Sequence, residues 1–229
     1  MEECIAAKSI KEILKRIQSR SLVGDDRYVA DREILKRWDR GDGLEYLIGL
    51  LQSETIGSRL LGAYYLGELH PVEELKDAAM HLADDPLSDC RKAFVAFIHN
   101  SGDYDEEISA GLARCLHDLD VTVRVATVKW AIEISTTRFE DFARLIEAGI
   151  GRREPKFRNP LSNDFWNHSS LARGIRGLNI IRRIRGGEDI QQIRANTPDE
   201  DSFVFDSLLF SAPRRERLTA RLKKRAVKN

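Results

Sequence analysis

The chain of 229 residues and 26.1 kDa is 42% hydrophobic and 32% charged, a balance that suits a packed core and excludes a disordered chain. Its apolar runs fall far short of the roughly 20 residues that a bilayer crossing needs. The acidic start "MEECIAAKSIKEILKRIQSR" does not read as a secretion signal, so the expectation is a cytoplasmic protein without membrane contact.

The 37 basic and 37 acidic residues cancel, but unevenly along the chain. Residues 1–150 carry 19 basic against 28 acidic, net −9, and residues 151–229 carry 18 against 9, net +9. An acidic body with a basic C-terminal third points to a charged partner.

The first helix is expected near the N-terminus, where Ile5, Ile10, Ile13, Leu14 and Ile17 share one face and would cap a stack of later helices. "DDRYVADREILKRW" and "RGDGLEYLIGLL" then form a helix pair joined through Gly41 and Gly43. Next, one phrase is written three times. Leu51 leads through "QSETIGS" to Arg59, Leu82 through "ADDPLSDC" to Arg91, and Leu116 through "HDLDVTV" to Arg124. Each arginine opens a helix with apolar residues at helical spacing: Leu60, Ala63, Tyr64 and Gly67; then Phe94, Val95 and Ile98; then Val125, Val128, Ala131 and Ile132. "PVEELKDAAMHL" and "DEEISAGLARCL" supply the partner helices, with Gly102 and Asp103 in a turn between them. Asp84, Asp85, Asp89, Asp118 and Asp120 stand at helix starts, where carboxylates accept from orphan N–H groups. Apparent strands such as "VTVRVATV" are short and find no hairpin partner, so the fold class is all-α. Arginines spaced 32 and 33 residues apart give the period of one helical hairpin, the mark of a solenoid.

The stretches "LQSETIGSRLLGAYYLGEL", "LADDPLSDCRKAFVAFIHNSGD" and "LHDLDVTVRVATVKWAIEIS" resemble the HEAT-repeat family. The resemblance implies an α-α superhelix, a HEAT-like solenoid of four to five helix pairs. It also implies that Asp84 (or Asp85) with Arg91, and Asp118 (or Asp120) with Arg124, lock adjacent repeats. The first copy departs, with Gln52 and Ser53 where the aspartates would stand. Residues 1–150 thus hold a cap and repeats. Residues 151–195 hold an irregular basic loop and a helical pair that completes the stack, and 196–229 an acidic-aromatic segment and a basic tail.

No chemistry-bearing motif stands out. His70, His81, His99, His117 and His168 lack metal-site spacing, and Cys4, Cys90 and Cys115 read as reduced, packed thiols. Glycine-rich phosphate loops and nucleophile motifs are missing from the sequence; "RGGEDI" reads as a helix stop and restart, with an anion site at the restart as the alternative. No catalytic residue, metal or cofactor is therefore assigned.

The basic third carries the binding hypothesis. After Gly149 the pattern breaks into "GIGRREPKFRNPLSNDFW", followed by "SSLARGIRGLNIIRRIRG" and "GEDIQQIRAN", each read as a helix. Arginines with interleaved aromatics predict a site of Arg152, Arg153, Phe157, Arg158, Trp166 and Arg173. The partner expected is another protein with an acidic surface, a second copy of the chain included, which makes this a scaffold, adaptor or inhibitor. The alternative is nucleic acid bound through residues 151–185. Alkylpurine DNA glycosylases are also built from HEAT-like repeats, and Trp38, Trp130, Trp166 and Asp164 supply residue types they use. An acidic 1–150 argues against a DNA-lining concave face.

Overall fold

The computed structural model describes residues 5–150 and 170–198, together with 201 and 205. Among the described residues every regular element is a helix, as the sequence predicts. The chain divides into two compact units, Met1–Gly111 and Leu112–Asn229. The sequence boundary at 150 marks a different property, the end of the repeated phrase.

In the first unit, α1 (Ile10–Gln18) starts on a capping box. The Ser9 hydroxyl accepts from the Glu12 N–H, and the Glu12 carboxylate accepts from the Ser9 N–H at 2.8 Å. Its Ile10, Ile13, Leu14 and Ile17 are buried, the face the sequence predicts. Helix α2 (Gly24–Trp38) turns into α3 (Leu44–Leu51) through Gly43, whose φ of 70° and close approach to Ile10 both favour glycine. The Trp38 indole fixes that turn by donating to the Gly43 carbonyl at 2.9 Å. Helix α4 (Ile56–Glu68) packs on α3 and runs beside α6 (Ser88–Ser101), with α5 (Lys76–His81) between them in sequence. Helix α7 (Glu106–Leu116) begins at Asp105, whose carboxylate accepts from the Ile108 N–H at 2.8 Å and pairs with Lys76 at 3.0 Å. Those two contacts hold the Asp105 carboxyl below the usual carboxylate range.

Helix α4 corrects the face read from its spacing. Leu60, Tyr64 and Gly67 are exposed, while Gly62, Ala63, Tyr65 and Leu66 are buried. The helix is apolar on both sides, so periodicity alone does not choose. Tyr65 settles it: its ring meets Trp38 edge-on at 5.1 Å and its hydroxyl donates to Asp31 at 2.5 Å. Burial and the Asp31 carboxylate push the Tyr65 phenol far up, so it stays a donor.

The three repeated arginines make one and the same contact. Arg59 Nη1 donates to the carbonyls of Ser53 and Glu54 (2.9 Å each), Arg91 Nη1 to those of Asp85 and Pro86 (2.7 and 3.0 Å), and Arg124 Nη1 to those of Asp118 and Leu119 (2.9 and 3.0 Å). Each guanidinium closes the loop that precedes its own helix, six and five residues back. The clamp reads main-chain oxygens, so Gln52 and Ser53 do not weaken the first copy. Of the paired candidates Asp84 and Asp85, the buried one is Asp85. Its carboxylate accepts from the Leu87 N–H at 2.8 Å and from Arg59 of the preceding copy at 2.7 Å. Asp85 thus links the second copy of the phrase to the first through Arg59, whereas the resemblance pairs Asp84 or Asp85 with Arg91.

In the second unit, α8 (Val121–Glu133), α9 (Thr136–Glu147) and α11 (Ile190–Ala195) start on side-chain caps from Asp120, Ser135 and Asp189. Trp130 and Phe142 meet edge-on at 5.1 Å. Helix α10 (Ser170–Arg185) packs on α8 and α9. A Cβ at Gly174 would lie 2.0 Å from the His117 ring, and one at Gly177 2.9 Å from Leu116, so these glycines set how closely α10 approaches the end of α7. Ile180, Ile193 and Phe205 form a small core with Ile184 and Ile190 against it. Asp201, also buried, accepts from Arg176 at 2.7 Å and lies 3.6 Å from Arg124.

Two substitutions test this packing. Arg124→Ala removes charged donors from two carbonyls and should cost about 2–4 kcal/mol, read as a lower urea midpoint; an unchanged midpoint would remove the clamp from the stability account. Gly174→Ala would stabilise an ordinary helix interior by roughly 1 kcal/mol. Here the clash with His117 should reverse the sign and lower the midpoint.

Candidate functional site

The predicted site divides in two. Arg152, Arg153, Phe157, Arg158 and Trp166, with Asp164, lie outside the described residues. Arg173 does not present a binding surface: it is 6% exposed within α10, turned inward beside Gly174. The other arginines of α10 are also engaged inside the second unit. Arg176 holds Asp201, Arg182 pairs with Glu147 on α9 at 2.7 Å, and Arg183 grips Glu188 with Nε at 2.7 Å. Arg185 Nη1 reaches the carbonyls of Ala131, Ile132 and Ile134 at 3.1, 3.1 and 2.8 Å, closing the C-terminal end of α8, and its guanidinium lies 4.6 Å from the centre of the Phe139 ring. A helix that reads as a basic patch is thus a structural strut. The signal missed is remote in sequence: the partners of Arg185 lie some fifty residues upstream.

The other chemical candidates resolve as packing. At "RGGEDI" the N–H groups of Gln191 and Gln192 donate to the Asp189 carboxylate, so the chain's own anion occupies the place considered for a phosphate. Trp38 and Trp130 are core residues, 0% and 3% exposed, and neither ring is available to stack on a base. Among the described residues no cluster of His, Cys, Asp and Glu could hold a metal ion, and no helix is long and apolar enough to cross a membrane.

What the sequence does not single out is a groove of about 1180 Å³ in the first unit, lined from α2 by Tyr28, Val29 and Arg32 and from α4 by Tyr64 and Glu68. Its two walls are tied by the Asp31–Tyr65 hydrogen bond, and His70 lies against Asp39 at 3.3 Å. Asp31 is itself held by the Arg27 guanidinium, Nε lying 2.9 Å from both carboxylate oxygens. The Tyr28 and Tyr64 rings stand 61% and 50% exposed, with Arg32 donating to the Tyr28 hydroxyl at 3.2 Å. On α4 the apolar surface continues from Tyr64 one and two turns back to Leu60 and Ile56, both exposed. Partial burial, then the negative charges of Asp31 and Glu68, push the Tyr64 phenol up from its ordinary value.

Comparison with protein-family models, with curated proteins and with solved structures found no match.

Cys90 and Cys115 are fully buried. Burial, with the Asp85 carboxylate beside it, pushes the Cys90 thiol up to about 12. At pH 8 it is neutral, so a thiolate-directed reagent should leave Cys90 unmodified in the folded chain and modify it once urea has unfolded the protein. Mass mapping of the labelled peptides reads this; rapid labelling of native Cys90 would contradict the burial.

Proposed function

We propose that the chain is a non-catalytic, HEAT-like helical-repeat protein that binds another protein, as a scaffold, adaptor or inhibitor. The observation that carries this reading is the distribution of used and unused surface. Within α10, Arg173 is buried and Arg176, Arg182, Arg183 and Arg185 each hold a partner inside the second unit, which leaves this helix a poor platform for a phosphate backbone. The first unit instead offers exposed tyrosines and aliphatic residues on an acidic body, with 14 basic against 22 acidic residues in 1–111. Exposed tyrosine beside aliphatic surface is the chemistry of protein contacts. No nucleophile, base and orienting group come together among the described residues to suggest turnover. The recurrent arginine clamps and the Arg59–Asp85 link support a HEAT-like repeat, in which neighbour-to-neighbour packing holds a binding face rigid.

The competing reading is nucleic-acid binding through Arg152, Arg153 and Arg158. Fluorescence anisotropy with labelled duplex and single-stranded DNA at about 50 and 200 mM salt separates the two. The expected result is no more than weak binding that ignores sequence. Tight binding at low salt that falls steeply with salt, and disappears on changing those three arginines to glutamate, would replace the protein-binding reading. Release of a base from methylated DNA would then test the glycosylase relationship.

A further inference from the structure

We infer that the Tyr28–Tyr64 groove is the docking site of a short acidic segment of a partner protein, its carboxylates meeting Arg16, Arg32, Lys36 and Arg40 and its apolar side chains meeting Tyr28, Val29 and Tyr64. This rests on the protein-binding reading above and names the partner's chemistry.

The charge of the groove follows from asking which of its groups are already neutralised. Five carboxylates line it, and three are engaged from within the fold: Asp31 by the Arg27 guanidinium and the Tyr65 hydroxyl, Glu33 by Arg37 Nε at 2.7 Å, and Asp39 by the backbone N–H of His70 at 3.3 Å. Asp26 and Glu68 remain. Four cations line the same groove. Arg16, Lys36 and Arg40 make no side-chain hydrogen bond or ion pair among the described residues, and Arg32 donates to the uncharged Tyr28 hydroxyl. Four uncompensated cations thus face two uncompensated carboxylates, an excess of positive charge. The cations are also ordered: Arg32 and Lys36 stand four residues apart on α2, and Arg40 follows four residues later, just past the helix end. Four residues of helix rise about 6 Å, close to the roughly 6.6 Å between alternate side chains of an extended peptide. A segment with acidic residues at every second position therefore matches the spacing of Arg32 and Lys36.

The apolar part of the lining adds contact area beside that charge. Tyr28 and Val29 on α2 and Tyr64 on α4 are exposed next to the cations, and the Arg32 guanidinium lies 5.8 Å from the centre of the Tyr28 ring. Beneath them Trp38, Tyr65 and Asp31 are fixed to one another by ring contact and hydrogen bond, so docking needs no remodelling of the floor. The extent of the positive charge selects among anions. Residues 1–111 as a whole carry 14 basic against 22 acidic residues, so the cationic lining is a local exception on an acidic unit. A nucleic-acid backbone running past the groove meets net negative charge, whereas a short acidic segment ends where the cations end. A partner with an acidic surface is the one the sequence pattern predicts, met here by cations of the first unit in place of those of α10.

The test uses the full chain and two labelled 18-residue probes, one alternating glutamate with leucine and tyrosine and one with lysine in place of every glutamate. The wild-type chain should bind the glutamate probe, more weakly as salt rises, and not the lysine probe. The double reversal Arg32→Glu/Lys36→Glu should weaken that binding at least about tenfold. Lys11→Glu/Lys15→Glu makes the same change of charge on exposed residues of α1 outside the groove lining and should bind as wild type does. Tyr64→Ser should weaken binding about tenfold, the scale of losing one aromatic anchor. All these side chains are exposed, so the thermal midpoints should stay near wild type; the charge reversals keep the test valid if Tyr64→Ser proves unstable. Equal binding by wild type and Arg32→Glu/Lys36→Glu, equal loss in the two charge reversals, or no binding by wild type overturns the proposal. So does single-stranded DNA that displaces the glutamate probe at lower concentration than unlabelled probe does, since nucleic acid would then be the occupant. A self-association seen by sedimentation that Arg32→Glu/Lys36→Glu abolishes overturns it too, with a second copy as the occupant. A cellular partner that binds wild type and Arg32→Glu/Lys36→Glu alike would dismiss the groove while leaving the protein-binding reading intact. The DNA titration described above is the measurement that would overturn that reading.

Discussion

The structure depends on an arginine reaching back to the main chain. A loop between two antiparallel helices leaves carbonyls at the end of one and N–H groups at the start of the next, and neither set can be buried without partners. Arg59, Arg91 and Arg124 solve the carbonyl side by offering one planar donor group to two oxygens at a fixed offset. Asp120, in the loop ahead of α8, serves the other side, accepting from the Thr122 N–H at 2.8 Å. The guanidinium suits this task because it stays charged and its donors diverge in one plane. Arg185 extends the same solution to the end of α8, where three carbonyls converge on one Nη1.

Among the described residues the two units use positive charge for the same kind of purpose. In the second unit the arginines of α10 answer needs internal to the fold: a buried Asp201, an open helix end, a neighbouring carboxylate on α9. In the first unit Arg27, Arg37 and Arg59 are drawn onto Asp31, Glu33 and Asp85. A net charge summed along the sequence counts such paired charges and solvated ones equally.

Much of the architecture is legible in the sequence because it rests on local rules. The buried face of α1, the start of α8 at Asp120 and the end of α9 at Gly149 come from spacing, capping and left-handed turns. The arginine period is legible too, but its partners are not: the side-chain signature pairs Arg91 with Asp84 or Asp85, whereas Arg91 reaches main-chain oxygens and the Asp85 carboxylate takes Arg59. The exposed face of α4 is the least legible. Tyr64 and Leu60 sit at spacings that suit a core, and only the tertiary pairing of Tyr65 with Trp38 and Asp31 turns them outward. The internal contacts of Arg176, Arg182 and Arg185 are illegible for the matching reason, since Asp201, Glu147 and the carbonyls at the end of α8 are distant in sequence.

Gly174 and Gly177 have a consequence for α10 beyond closeness. The helix carries arginines at 173, 176, 182, 183 and 185, and nothing in their own chemistry decides which should turn inward. Rotating the helix by one residue would bring a long side chain to the place where the His117 ring lies against a bare Cα. The two glycines act as a keyway. They admit the helix in one angular setting, and that setting sends Arg173 inward, Arg176 to Asp201 and Arg185 to the carbonyls of α8. The residues with the least chemistry thereby assign the roles of those with the most.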